Sequence, residues 1–288
     1  MAGRPFAALQ GPQGSPVTLW QEDSLLGLRR RVSAGSVDVV VTSPPYNRKV
    51  PYRSYRDDRP RREYLRWIAR LGRSVDRALS EGGSFFLNMG GSPSDPWMPW
   101  DVAGALRERF VLQNVIVWLK SVAIDRAHVG AASGLTRDLV VGHYKPLRSE
   151  RYVHGAYEYV FQFTRDGTVP IDRLAVGVAY SDKSNLRRWR GVDSDRRCRG
   201  NVWFLPYRTI RRRASDRPHP APFPPELPER CLRLHGLPRA RLVVDPFVGI
   251  GASAVAAARL ARPFVGFDVD AEYLAETRRR LERLGTED

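Results

Sequence analysis

Hydrophobic positions along this chain follow two rhythms. Short, nearly continuous apolar runs read as buried strands: 37–43 (VDVVVTS), 84–90 (SFFLNMG), 111–120 (VLQNVIVWLK), 158–164 (EYVFQFT), 241–246 (RLVVDP) and 263–270 (PFVGFDVD). A shorter one, 17–24 (VTLWQEDS), ends in acids. Between them, apolar residues recur at helical spacing. Residues 25–35 predict a helix stopped near Gly35. Residues 62–83 predict a longer one, with Leu65, Ile68, Leu71, Val75 and Leu79 on one face and Gly82-Gly83 as its stop signal. Further helices are expected over 100–110 (WDVAGALRERF), 251–261 and 271–284. Strand and helix alternate, which predicts parallel βα units and an α/β, doubly wound sheet. The rhythm fails from about 121 to 215, where loops and short strands take over. A Pro-rich stretch, 217–236, leads into a short helix, and the alternation then returns. Residues 1–16 read as a loose tail.

Two punctuation marks stand out. The first is Ser43-Pro44-Pro45-Tyr46, directly after the buried run 37–41. Each proline lacks an N–H and has φ held near −65°, so the corner is stiff. Alone it would read as an exposed turn; at the end of a core strand it reads as a built feature. The second is Asp245-Pro246-Phe247-Val248-Gly249-Ile250-Gly251, between a strand and a helix, with Asp268 at the end of the next strand. Glycines at that point let the backbone approach a ligand, and an acid one strand later suits ribose hydroxyls. The turn lies near the C-terminus, so the other parallel strands of its sheet must come from upstream. A carboxylate and a ring beside the glycines suit a ligand with a cationic amino group better than a pyrophosphate. That weighs against a dinucleotide-dependent oxidoreductase. The bland alternative is a tight turn with no ligand.

Composition narrows the partners. The chain has 288 residues, 42% of them hydrophobic, enough for one large domain. Lys and Arg number 47 against 31 acids, a net charge of +16. Such an excess favours a polyanion, since each phosphate contact releases counterions. It is concentrated in clusters: Arg59 to Arg62, Arg187 to Arg190, Arg196 to Arg199, and Arg211 to Arg213. The last three are interleaved with Trp189, Trp203, Phe204 and Tyr207. Basic residues among aromatics suit phosphate contact with base stacking. We single out Arg187, Arg188, Arg190, Arg211, Arg212 and Arg213 as nucleic-acid contacts; base-reading and phosphate-reading Arg look alike in sequence. Cys198 and Cys231 have no metal-ligand spacing. No apolar run approaches a membrane span, and the first residues lack a signal's apolar segment, so a cytoplasmic protein with reduced thiols is expected.

The tetrapeptide first, then the Pro-rich segment 217–232 (RPHPAPFPPELPERCL), then the glycine turn, in that order, resembles the amino-methylating DNA methyltransferases of the β arrangement. Residues 78–90 and 158–167 resemble further core elements of that family. The resemblance implies a class I methyltransferase-like (Rossmann-like) fold with permuted motif order. Residues 17–120 would form the catalytic half, 121–215 a target-recognition insertion that includes some core strands, and 216–288 the cofactor half. It implies S-adenosyl-L-methionine as cofactor, with Asp245, Pro246, Phe247, Gly249 and Gly251 around its methionine part and Asp268 on its ribose. Asp23 would lie near the adenine, although Glu22 is adjacent; His219 is either a wall of the site or a structural turn residue. Double-stranded DNA is the implied partner, with a cognate restriction endonuclease alongside, and a monomer or homodimer the assembly. Members acting on adenine N6 usually carry Asp or Asn first in the tetrapeptide, so Ser43 and the HPAPFP segment tilt the reading to cytosine N4. The alternatives kept open are adenine N6 and an idle nucleic-acid-binding protein on the same scaffold.

The corner suits that chemistry. An exocyclic amine is a poor nucleophile because its lone pair is delocalised into the ring. Acceptors aimed at its N–H groups, the Ser43 hydroxyl and the Pro44 carbonyl, favour a pyramidal nitrogen, and a stiff Pro-Pro corner keeps them preorganised. The base must leave the duplex to be reached, and Tyr46 would stack on it.

Overall fold

The computed structural model describes residues 3–142, 149–180, 183, 186, 195–206 and 223–286. Its strands are β1 (Ala7–Gln10), β2 (Pro16–Gln21), β3 (Val37–Thr42), β4 (Leu79–Met89), β5 (Val111–Leu119), β6 (Val122–Ile124), β7 (Leu139–Val141), β8 (Tyr157–Thr164), β9 (Val202–Phe204), β10 (Val243–Asp245) and β11 (Phe264–Asp268). The helices are α1 (Ser24–Arg31), α2 (Arg61–Ala78), α3 (Met98–Leu106), α4 (Arg126–Val129), α5 (Glu226–His235), α6 (Ala252–Arg259) and α7 (Ala271–Leu284).

Nine strands form one sheet in the order β1-β2-β11-β10-β3-β4-β8-β5-β9. The run β2-β11-β10-β3-β4 is parallel throughout. β8 runs antiparallel between β4 and β5, and β1 antiparallel to β2. β6 and β7 pair with each other in a separate two-stranded sheet. Within 121–215, therefore, β8 and β9 belong to the main sheet while β6 and β7 stand outside it.

β3 has no exposed residue, as a central parallel strand requires. Val39 and Val41 face a core shared with α5, α6 and α7, through Leu232, Ala254 and Leu274. Val40 faces the opposite core, shared with Leu28 of α1, Ile68 and Leu71 of α2, and Val102 of α3. Helices thus cover both faces, the doubly wound arrangement that the alternation predicts.

Two expectations need correction. The segment read as a loose tail, 1–16, contains a strand: Ala7–Gln10 pairs with β2, and the alternate residues Ala7 and Leu9 pack on the core. Glycines and prolines around so short a run hide its period. The second helix does not reach Gly83. It ends at Ala78, and β4 begins at Leu79, which is buried and registers with Val37. Sheet pairing wins over helix continuation there. Gly83 serves close packing, since a Cβ on it would lie 2.7 Å from Leu79 Cγ.

The order of the sheet makes the site. From β3 the chain continues to β4 on one side, and from β10 to β11 on the other. The carboxyl ends of β3 and β10 are neighbours, with Val243 opposite Val39 and Val244 opposite Val40. A parallel sheet offers its ligand crevice where strand order diverges in this way.

Candidate active site

The Ser43–Tyr46 corner leaves β3 at that crevice. The Tyr64 hydroxyl, from α2, donates to the Pro45 carbonyl at 2.8 Å and pins the corner to the helix. Ser43 Oγ donates to Tyr46 Oη at 2.9 Å, and Tyr46 Oη donates to Glu158 Oε2 at 2.9 Å. Asn88 Nδ2 donates to the same two oxygens, at 2.7 and 2.8 Å, and Lys120 Nζ donates to Glu158 Oε1 at 2.9 Å. The loop after the corner is held by Asp57, whose carboxylate accepts from the backbone N–H of Asn47, Arg48 and Val50. Asn47 itself has φ of 59° and bonds both the N–H and the carbonyl of Arg59. Asparagine is among the few non-glycine residues that accept that conformation readily.

The glycine turn leaves β10 on the adjacent side. Asp245 is fully buried. Its oxygens accept from Thr42 Oγ1 at 2.5 Å, Ser253 Oγ at 2.5 Å and Phe247 N at 2.9 Å. Burial pushes its carboxyl up to about 6, against those three hydrogen bonds, which pull the other way. Thr42 precedes Ser43, so this carboxylate joins the last residue before one corner to the turn that forms the other. Gly249 N donates to Asp268 Oδ2 at 2.9 Å, and the Gly249 carbonyl accepts from Thr277 Oγ1 at 2.8 Å. Gly251 has φ of +83°, and a Cβ there would lie 2.5 Å from Thr277 Cγ2, so only glycine fits. Burial also pushes Asp268 up to about 6, opposed by the backbone N–H groups of Asp270 and Gly249. Asp270 caps α7, accepting from Glu272 N and Tyr273 N, and takes the Ser54 hydroxyl at 2.9 Å. Asp23 caps α1 by accepting from Leu25 N and Leu26 N, while Glu22 pairs with Arg30 and Arg31.

One cavity of about 350 Å³ is lined from both sides, within the roughly 300–1,000 Å³ usual for ligand pockets. Ser43, Pro44, Pro45 and Tyr46 line it, as do Asp23, Pro246, Phe247, Gly249 and Asp268. The Phe247 and Trp67 rings meet at 5.4 Å between centroids. Asp245 and Gly251 stand behind the lining rather than in it: Asp245, expected beside a cationic amino group, holds the wall together instead. His219, Arg187, Arg188, Arg190, Arg211, Arg212 and Arg213 lie outside the described residues. In the Arg196–Arg199 cluster, Arg196 and Arg199 donate to the carbonyls of Gly177 and Val176. Cys231 is buried in the core and Cys198 is exposed.

Sequence reasoning missed Glu158, Asn88, Asp57 and Asp270. Asp270 carried a signal, an acid immediately before a helical period. Glu158 carried a weaker one, an acid between two tyrosines at the head of an apolar strand. Electrostatically the cavity runs against the chain. Among the described residues, five acids line it, Glu22, Asp23, Glu158, Asp268 and Asp270, against two cations, Arg48 and Arg59, in a protein of net charge +16. A cationic small ligand and a polyanionic large one can therefore be held side by side.

Against known proteins, the DNA methylase family model matches residues 37–279. The chain belongs to this family, which covers methylation of both N6 and N4 amines. The type II methyltransferase M.BglII of Bacillus subtilis is 28% identical over 252 residues, 83% of this chain and 62% of that protein's length. Among solved structures, PvuII DNA methyltransferase (cytosine-N4-specific) superposes with a TM-score of 0.66 at 19% identity, covering 99% of this chain and 94% of the other. TTHA0409 of Thermus thermophilus, in its complex with S-adenosyl-L-methionine, gives 0.58 at 22% identity, covering 94% and 96%. These likenesses establish the fold of the family as a class I methyltransferase fold, with the sheet described above. No helix among the described residues is long and apolar enough to cross a membrane.

Proposed function

We propose that this chain is an S-adenosylmethionine-dependent DNA methyltransferase that methylates the exocyclic N4 amine of a cytosine flipped out of a specific duplex sequence. The observation that carries the reading is the shared cavity bounded by the Ser43–Tyr46 corner and the glycine turn. The acids around that cavity fit a cofactor bearing an ammonium and a sulfonium. In this reading Asp268 takes the ribose hydroxyls, Asp23 stands near the adenine, and Phe247 with the Gly249 backbone bounds the methionine part. When bound, the cofactor supplies an electrophilic methyl group. The chain's own residues then do the rest: Ser43 Oγ and the Pro44 carbonyl accept from the target amine, and Tyr46 offers its ring face to the base. Little beyond alignment is needed for an in-line displacement. The surplus positive charge outside the cavity suits the DNA backbone.

Ser43 in the first tetrapeptide position and the fold shared with the PvuII enzyme support cytosine N4 over adenine N6. The type II relative supports a site-specific modification role, alongside an endonuclease cutting the same sequence. The deciding experiment expresses the protein in cells lacking other DNA methylation and sequences their DNA for modified bases. N4-methylcytosine in one sequence context is the expected result. N6-methyladenine would overturn the base assignment, and unmodified DNA together with no methyl transfer in vitro would overturn the enzymatic reading.

A further inference from the structure

The target side of the cavity contains one carboxylate to which the reaction as described assigns nothing. Glu158 reaches the cavity from β8, and its Oε2 ends a chain that begins at Ser43: Ser43 Oγ to Tyr46 Oη, 2.9 Å, then Tyr46 Oη to Glu158 Oε2, 2.9 Å. An ionised carboxylate only accepts, so it sets the direction of the whole chain. Tyr46 has one hydroxyl hydrogen and gives it to Glu158. Ser43 has one and gives it to Tyr46. Ser43 Oγ is thereby left to meet an amine with lone pairs rather than with its hydrogen. The arrangement is fixed on every side. Lys120 Nζ holds the other carboxylate oxygen at 2.9 Å, and Asn88 Nδ2 bridges Tyr46 Oη and Glu158 Oε2 at 2.7 and 2.8 Å. A Cβ on Gly90 would lie 2.8 Å from Glu158 Cγ, so the backbone there is shaped around this side chain.

We propose that Glu158 is the terminal acceptor of the proton that leaves the target amine, reached through Ser43 and Tyr46. The balance is as follows. The amine nitrogen forms a bond to the methyl carbon, the carbon–sulfur bond breaks, and its electron pair returns to sulfur, leaving a neutral thioether. The nitrogen, now cationic, loses one N–H proton to Ser43 Oγ as Ser43 passes its own to Tyr46 Oη and Tyr46 passes its own to Glu158 Oε2. Both hydroxyls end as they began, and the carboxylate becomes a carboxylic acid. The Glu158 side chain keeps 12% of its surface exposed, a route for the proton back to water once the product base leaves. The relay gives a serine-type corner the carboxylate that a hydroxyl by itself lacks. It rests on the placement of the target amine at Ser43 proposed above.

The test is single-turnover transfer of labelled methyl from S-adenosylmethionine to unmethylated plasmid DNA by the full chain. Glu158→Gln keeps the shape but cannot take a proton, and should slow the step about 100-fold, the low end for a lost acid–base group, with the cofactor Kd within twofold of wild type. Tyr46→Phe keeps the ring and should lose as much, and the double variant should be no slower than either single one. Glu158→Asp should recover part of the rate. A Glu158→Gln rate within threefold of wild type, or losses that multiply in the double variant, would overturn the relay. Should Glu158→Gln fail to fold, Tyr46→Phe against Ser43→Ala carries the same decision: a Tyr46→Phe enzyme at wild-type rate overturns the relay. If Ser43→Ala is inactive while Glu158→Gln is not, the relay alone fails. If Ser43→Ala retains full turnover, the placement of the amine fails, and the relay with it.

Discussion

The two walls of the cavity use carboxylates in opposite ways. On the glycine-turn side, Asp268 and Asp270 accept chiefly from backbone N–H groups, those of Gly249, Asp270, Glu272 and Tyr273, and Asp245 takes one backbone N–H, Phe247, beside its two hydroxyls. On the Ser-Pro-Pro-Tyr side, Glu158 accepts from side chains, those of Tyr46, Asn88 and Lys120, in the bonds described. The first wall is therefore a shaped surface whose form depends on the main chain. The second is a wire of exchangeable protons, breakable one atom at a time. Binding fits the first kind of wall and proton handling the second. Asp245 links them, since one of its partners is Thr42, 203 residues away.

The largest effect should come from the wire. Ser43→Ala removes the acceptor at the reacting nitrogen and should lower turnover about 100- to 1,000-fold, the loss usual for one preorganised transition-state contact, while the cofactor Kd, measured by calorimetry, changes little. A collapse of cofactor binding instead would show that the walls are not separable.

Next comes the link. Asp245→Ala strands two buried hydroxyls and a backbone N–H, at roughly 1 kcal/mol or more each, so denaturant unfolding should show a loss of about 3 kcal/mol. Asp245→Asn keeps an acceptor for Thr42 and Phe247 and offers its amide to Ser253, and should cost far less. The pair also has a pH signature. The folded Asp245 carboxyl stands at about 6 against an ordinary value of 3.8. Between those values the folded chain holds a proton that the unfolded chain has released, so this group's contribution is complete below about pH 4 and lost as pH rises through 6. Relative to wild type, Asp245→Asn should therefore gain stability between about pH 4.5 and 7.5, on the order of 2 kcal/mol. An unchanged difference across that window would mean that the buried carboxyl is not strained by its surroundings.

The smallest effect should be on the shaped wall. Asp268→Ala leaves Gly249 N and Asp270 N to water and removes the acid assigned to the ribose. Cofactor affinity should fall about 10- to 50-fold, the loss of a hydrogen bond or two to a charged group, with methyl transfer at saturating cofactor within a few-fold of wild type. A fall in that limiting rate as large as that of Ser43→Ala would erase the division between the walls.

Much of this protein is legible from its sequence. The unbroken apolar character of 37–41, the helical spacing of Ile68, Leu71 and Val75, and the glycine turn each depend on neighbours a few residues away, so burial and backbone preference leave a local pattern. Even the motif order forces the conclusion that the C-terminal turn shares a sheet with N-terminal strands. What no local pattern holds is the partner of a polar atom. Leu79 reads as the last apolar position of a helix running to Gly83 until Val37 pairs with it, and residues 7–10 read as tail until β2 lies alongside. Asp245 reads as a ligand contact until Thr42 and Ser253 surround it. Glu158, 112 residues from Tyr46, reads as an ordinary strand residue. Hydrophobic periodicity determined the elements because apolar burial is non-directional and repeats along the chain. The tertiary structure alone decided how the site is wired, because hydrogen bonds are directional and short, and their partners meet only after β10 and β11 slot between β2 and β3.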